Sequence, residues 1–221
     1  ICYLDTDILI NVNSPNVFEY HKENKFSVVS EIDLPFERLK ILKKISFFRK
    51  KYYSKRYKLN SSILFTHKEK FQYDRLPIQK NYFCAGLIIF NKRYFALMSK
   101  WFFKHKSNLN NLTGGGDENI MNYEVLNYGK VNYLNYKFQA LWLYEMANNY
   151  SFLYKFKNKK NKIIDYCIDE AIFNNYFLHF PGSWHEGNMW KNKNLNKLNN
   201  RLHIYLKKKI KAKPYGRILP K

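Results

Sequence analysis

Apolar positions recur along the chain in short blocks separated by turn-forming and lysine-rich stretches. The first block, Ile1-Cys2-Tyr3-Leu4-Asp5-Thr6-Asp7-Ile8-Leu9-Ile10, is an apolar run interrupted by two carboxylates. It reads as a strand, in which residues two apart point to one face. Asn11 to Pro15 reads as a turn and Phe26 to Ser30 as a short strand. From Phe36 to Leu59 the spacing of Phe36, Leu39, Leu42, Ile45, Phe48 and Tyr52 predicts one apolar helical face. The opposite face carries Lys40, Lys43, Lys44, Arg49, Lys50 and Lys51, the pattern of a solvated cationic surface.

The second half continues the alternation. Tyr82 to Phe90 is continuously apolar, as in a central strand buried on both faces, and Gly86 leaves room there for a close approach. Asn91 reads as the N-cap of a helix with Phe95, Met98, Trp101 and Phe102 at core spacing. A loop from Ser107 to Gly116 ends in Gly114-Gly115-Gly116, and Asp117 then stands where an N-cap would start a helix over Glu118 to Leu126. Gly129 to Trp142 mixes strand and loop character, Ile163 to Phe173 predicts a short helix, and Tyr176 to Phe180 predicts a strand that ends near His179. Strands alternating with helices predict an α/β class with a mixed sheet flanked by helices. The organisation expected is one domain over residues 1–190 and a basic tail over residues 191–221.

Composition narrows this only a little. A chain of 221 residues with 46% apolar and 19% aromatic residues can bury one ordinary core. The net charge of +22 attracts anions of every kind, from diphosphates to nucleic acid and anionic lipid. The abundance of Lys, Asn, Ile, Tyr and Phe is also what an AT-rich genome produces, so the charge names no partner. Cys2, Cys84 and Cys167 are scattered and form no C-x-x-C pair, which favours reduced, buried thiols over a disulfide or zinc framework. No apolar run approaches the roughly 18 residues a membrane helix needs.

Candidate chemistry sits at the ends of the predicted strands. Asp5 and Asp7 would be costly in an apolar strand unless a divalent cation or a strand end relieved them. His179 on an apolar strand reads as either a satisfied core residue or a ligand. It is followed by Pro181-Gly182, a turn whose backbone could approach phosphate.

Several stretches, taken in order, resemble the GT-A nucleotide-sugar glycosyltransferases, in particular glycosyltransferase family 8. Asp5-Thr6-Asp7 resembles the family's D-x-D, and Asn81-Tyr82-Phe83-Cys84-Ala85-Gly86 resembles its F-N-A-G strand. Thr113 to Asn122, centred on Asp117-Glu118, resembles its D-Q-x-x-x-N motif, and His179-Phe180-Pro181-Gly182-Ser183-Trp184-His185 resembles its H-F-x-G-x-x-K loop. Cys84, Glu118 and His185 depart from the family's Asn, Gln and Lys.

The resemblance implies a GT-A (Rossmann-like) domain whose base-binding βαβ units would precede Ile1, so that the sequence reads as its C-terminal part. It implies metal ligation by Asp5, Asp7 and His179, with Mn²⁺ or Mg²⁺ as the cofactor. Gly86, Gly182 and His185 would contact the donor, with Lys191 as a substitute cation, and Asp117 and Glu118 would bind the sugar. The implied reaction moves a sugar from a nucleotide diphosphate-sugar to a glycan, glycolipid or protein acceptor, with retention of configuration. The implied setting is cytoplasmic, peripheral to an anionic membrane surface through the basic tail, or the Golgi lumen if an anchor preceded Ile1. The competing readings are a catalytically inactive GT-A-like protein and a basic nucleic-acid-binding module.

Overall fold

The computed structural model describes residues 1–106, 117–156 and 162–192. The glycine run Gly114 to Gly116 and the basic segment from residue 193 onward lie outside the described residues. The class is α/β, with two mixed sheets flanked by helices.

The opening apolar run is not one strand. Its first part, β1 (Cys2–Leu4), lies antiparallel to β4 (Phe83–Ile89), whereas its last part, β2 (Ile8–Ile10), lies antiparallel to β7 (Phe177–His179). Asp5 N–H donates to Gly86 O at 3.0 Å and Phe180 N–H donates to Asp7 O at 3.0 Å. Asp5-Thr6-Asp7 therefore hands the chain from one sheet to the other.

The first sheet runs in the order β1-β4-β3-β5, with β3 (Phe26–Ser30) antiparallel to β4 and parallel to β5 (Val131–Leu134). The second runs β2-β7-β6, with β6 (Ala140–Leu141) parallel to β7. Every residue of β3 is buried, and Phe83, Leu87, Ile88 and Ile89 of β4 are sealed beside it, as continuous apolar runs demand of central strands. The pairing of β3 with β4 slips. Val28 faces Ile88 but Val29 faces Cys84, so Ala85, Gly86 and Leu87 have no partner on β3. This bulge re-aims β4 where it passes Asp5.

The helices correct two expectations. The basic amphipathic segment forms α1 (Arg38–Phe48) and then a single π turn over Arg49–Tyr53, ending at Ser54 instead of reaching Leu59. Its buried stripe is Ile41, Leu42, Ile45 and Ser46, while Leu39 is exposed. The stripe turns because the helix packs against α5 (Trp142–Asn149), and Phe36, outside the helix, packs edge-on against Tyr136 and Tyr144. In α3 (Phe95–His105), Trp101 is buried against Phe26, with Leu97 and Met98 beside it, so Phe95 and Phe102 point outward. Asn91 caps the short 3₁₀ turn before α3 by accepting from Arg93 N–H at 3.1 Å.

Two further helices position the site. In α2 (His67–Tyr73), a capping box between Thr66 and Glu69 fixes the start, and Lys70 projects inward from its middle. In α4 (Glu118–Tyr128), Asn122 accepts from Phe83 N–H and donates to Phe83 O, both at 2.7 Å, which clamps the helix to the start of β4. Gly129, at φ 78°, ends α4 in the left-handed conformation that suits glycine. The helix expected near Ile163 is α6 (Lys162–Asn174). No helix among the described residues is long and apolar enough to cross a membrane.

Arg49 was expected on the solvated basic face, yet it is buried. The π turn swings its guanidinium inward to Glu186, at 2.6 Å from Nε and 2.5 Å from Nη2, and over the ring of Trp184 at 5.2 Å. Glu186 is fully enclosed, so this pair fastens the 181–187 loop to the end of α1. Removing one partner of such a pair strands the other charge. Arg49→Met should lower unfolding free energy by about 3–5 kcal/mol, measured by urea denaturation, whereas Lys50→Met on the exposed side should change it by less than about 0.5 kcal/mol.

Candidate functional site

At the junction of the two sheets three potential ligands converge. His179, the last residue of β7, directs Nε2 to Asp7 Oδ1 at 3.1 Å and to Asp5 Oδ2 at 3.5 Å. Donor atoms of Asp5, Asp7 and His179 lie within 4.8 Å of one another. The bent chain at Asp5-Thr6-Asp7, rather than a straight strand, brings both carboxylates to one imidazole. Neighbouring ligands on a compact octahedral cation lie about 3 Å apart, so the observed separations need little adjustment to fit a divalent ion. Two carboxylates and one imidazole form a donor set that can hold a divalent cation without by itself selecting which one.

Gly86 makes this convergence possible. A Cβ there would lie 2.5 Å from His179 Cε1, 2.6 Å from the Gln139 amide terminus and 2.9 Å from Asp5 Oδ2. Gln139 is buried in the same space, and its amide fits its neighbours best with the nitrogen donating to Cys84 O at 3.2 Å. The oxygen then accepts from Gly86 N–H and Leu87 N–H at 3.1 and 3.0 Å. These are amides of the bulge, which β3 leaves unpaired.

The three ligands open onto a recess of about 380 Å³ lined also by Tyr3, Ala85, Asp117, Glu118, Pro181, Gly182 and Ser183. Tyr3 Oη donates to Asp5 Oδ1 at 2.8 Å, and burial together with that bond raises the Tyr3 phenol above its ordinary range. Burial works against the Asp7 carboxylate, but the His179 hydrogen bond and charge, its own backbone amide and Lys191 together hold its pKa below the usual value. Asp7 therefore stays ionised wherever ordinary carboxylates do. Gly182, at φ 87°, takes the left-handed turn expected of Pro181-Gly182 and faces the recess.

A second chamber of about 330 Å³ adjoins the first and shares Cys84, Glu118, Pro181, Gly182 and Ser183 with it. Its floor is a chain of charges, Glu31 to Lys70 at 3.3 Å and Lys70 to Glu118 at 3.4 Å, with Tyr82 Oη donating to Glu118 at 2.7 Å. Burial opposes the Lys70 charge, but Glu31 and Glu118 outweigh it and raise the ammonium pKa. Burial raises the Glu118 pKa; Lys70 pulls it down and Glu31 pushes it up again. Glu31, Cys84 and Glu118 are also close enough to hold an ion. Lys70 already supplies a cation between the carboxylates, and burial keeps the Cys84 thiol protonated, so this cluster is complete without a metal.

The structure brings Asp5, Asp7, His179, Gly86, Gly182, Asp117 and Glu118 to one recess, and leaves His185 out of it. The His185 ring packs edge-on against Tyr53 at 4.6 Å, on the side held by the Arg49–Glu186 pair. Lys191 acts on the Asp7 charge. Asp117 occupies the N-cap position of α4, yet its side chain makes no capping bond, so its carboxylate is free to face the recess. Tyr3, Glu31, Lys70 and Tyr82 escaped the sequence reading. Tyr3 alone carried a signal, since it alternates with Asp5 and Asp7 on the opening run.

Gly86→Ala should leave the α/β fold intact at a cost of about 1–3 kcal/mol, read by urea denaturation, because the added Cβ must push His179, Gln139 and Asp5 aside. No protein-family model, curated protein or solved structure matches the chain, so its geometry must carry the functional reading.

Proposed function

We propose that this chain carries the catalytic centre of a metal-dependent, GT-A-type glycosyltransferase that takes its sugar from a nucleotide diphosphate-sugar. The single observation that carries the proposal is the meeting of Asp5, Asp7 and His179 at the wall of an open recess, with Gly86 bare behind them. A divalent ion held by these residues would supply Lewis-acid stabilisation of the departing diphosphate. The Gly182 turn offers backbone to the phosphates, and Lys191 adds positive charge on the Asp7 side.

The two connected chambers suit a two-substrate transfer. The donor diphosphate occupies the ligand recess, and its sugar reaches Asp117 and Glu118, which line it. The acceptor enters the second chamber, where Trp184, Tyr144 and the Glu31–Lys70–Glu118 chain offer stacking surface and hydrogen bonds to hydroxyls. In the reaction an acceptor hydroxyl oxygen bonds to the anomeric carbon as the carbon–oxygen bond to the diphosphate breaks. The hydroxyl proton leaves with the diphosphate oxygen, so no water or separate base is consumed. Glu118 faces both chambers and stabilises the positive charge that develops on the sugar ring. Retention of configuration follows from entry of the acceptor on the side the diphosphate leaves.

Binding of nucleoside diphosphates, tested as a panel by calorimetry, should depend on Mn²⁺ and fall at least about tenfold in Asp7→Asn and His179→Ala. Binding that ignores both substitutions, or that proceeds equally in chelator, would overturn the metal reading. Glu118→Gln should leave diphosphate affinity within about twofold while transfer or donor hydrolysis slows about 10²–10³-fold, since it removes charge that matters only as the sugar becomes cationic.

A further inference from the structure

The helix α3 carries more apolar surface than the core uses. Trp101 faces inward against Phe26, yet Phe95 is 60%, Phe102 50% and Phe103 69% exposed. Single exposed rings are ordinary, but three on one helix make a patch. At about 3.6 residues per turn, Phe95, Ser99, Phe102 and Lys106 form one row along the axis, with Ala96 and Phe103 in the row beside it. Around the rings stand Lys92, Arg93, Lys100, Lys104 and Lys106, all exposed. Arg93 is held by Asn24 and by Tyr94 Oη, and Lys104 by Glu124 at 2.8 Å. Lys92, Lys100 and Lys106 make no ion pair among the described residues. The sequence has no acid between Asp74 and Asp117. The acids nearest in contact are Glu124, buried beneath Lys104 and His105, and Glu23, which accepts from Asn91 at 3.4 Å.

We infer that the outer face of α3 docks this protein on an anionic lipid bilayer, with Phe95, Phe102 and Phe103 entering the acyl boundary and the lysines around them meeting headgroup phosphates. A phenyl ring has no polar atom and asks for an apolar partner, whereas the ammonium groups beside it ask for an anion. A bilayer surface offers both, one above the other. Long lysine stems let the charge stay at headgroup level while the rings go deeper. A second copy of the chain fits poorly, because it would set these cations against themselves on a protein of net charge +22. Single-stranded nucleic acid favours a cationic groove lined with rings, and these rings stand on the convex side of a helix. Tyr166 and Phe173 on α6 supply the contrast: they are at least as exposed, but Asp165, Asp169 and Glu170 share their helix. That composition repels anionic lipid. The inference uses neither the metal ligands nor the basic segment from residue 193 onward.

The test sediments the full chain with phosphatidylcholine vesicles, either pure or containing about 30% phosphatidylglycerol. The chain should bind the anionic vesicles at least about tenfold more tightly than the neutral ones. The triple variant Phe95→Ser, Phe102→Ser, Phe103→Ser should weaken anionic binding about 10–100-fold, and Lys100→Ser with Lys106→Ser about tenfold. Tyr166→Ser with Phe173→Ser should stay within about twofold of wild type. Charge elsewhere on the chain also attracts these vesicles, so a second readout follows the face itself. Cys84 and Cys167 are buried, so in a Cys2→Ser background an environment-sensitive fluorophore can be placed on Phe103→Cys alone. Its emission should shift to the blue on anionic vesicles, and the same label on Phe173→Cys should not shift. Unchanged binding of the triple variant, or a label at position 103 that stays in water while the chain is bound, overturns the inference. A label there that responds to single-stranded polyuridylate and not to vesicles overturns it in favour of nucleic acid. His179→Ala should bind vesicles as wild type does, so this inference and the metal reading fail separately.

Discussion

A missing side chain is the constraint from which the centre of this molecule follows. At Gly86 the backbone of β4 passes so near His179, Asp5 and Gln139 that a single methyl group would collide with all of them. Close-packed interiors do not absorb such an intrusion without moving their parts. The bulge brings the strand into that position, and Gln139 repairs the hydrogen bonds that the bulge leaves open. Strand irregularity, bare backbone and polar repair are thus one device, and the imidazole and carboxylates meet because of it.

Around this point the molecule spends buried charge on fixing walls. Arg49 and Glu186 tie the loop after β7 to the end of α1, and Lys70 lies between Glu31 and Glu118 under the second chamber. Each cluster joins segments far apart in sequence, and each would be costly if half removed. The chain carries a large excess of positive charge, yet five of its seventeen acids, Asp5, Asp7, Glu31, Asp117 and Glu118, line the two chambers. A basic exterior draws anions in, and an acidic interior gives hydroxyl-bearing and cationic groups something to bind.

Much of the secondary structure was legible because apolar runs and capping signals are local. Phe26 to Ser30, the strand before Asn91 and the helix near Ile163 announce themselves by their apolar pattern, and the helix that starts at Glu118 by the Asp117 cap position after the glycines. The opening run did not, because nothing in Ile1 to Ile10 says that its halves pair with different strands; that depends on where β4 and β7 lie. Arg49 was misplaced for a related reason, since a π turn shifts the helical phase and only an enclosed Glu186 makes burying a guanidinium worthwhile. Phe95 and Phe102 show the converse, apolar side chains at core spacing that the packed helix leaves outside. The candidate ligands Asp5, Asp7 and His179 were legible in the sequence, but Glu31, Lys70 and Tyr82 were not. Their meeting is a product of α2, α4 and β4 docking, which no local pattern encodes.

The hand-over at Asp5-Thr6-Asp7 has a mechanical side. One carboxylate follows a strand of the first sheet, while the other carboxylate and the imidazole belong to the second. An ion gripped by all three would be a rivet through both sheets, so that the cohesion of the whole domain would rise with the free concentration of that ion. Chelation would then loosen a seam as well as empty a pocket.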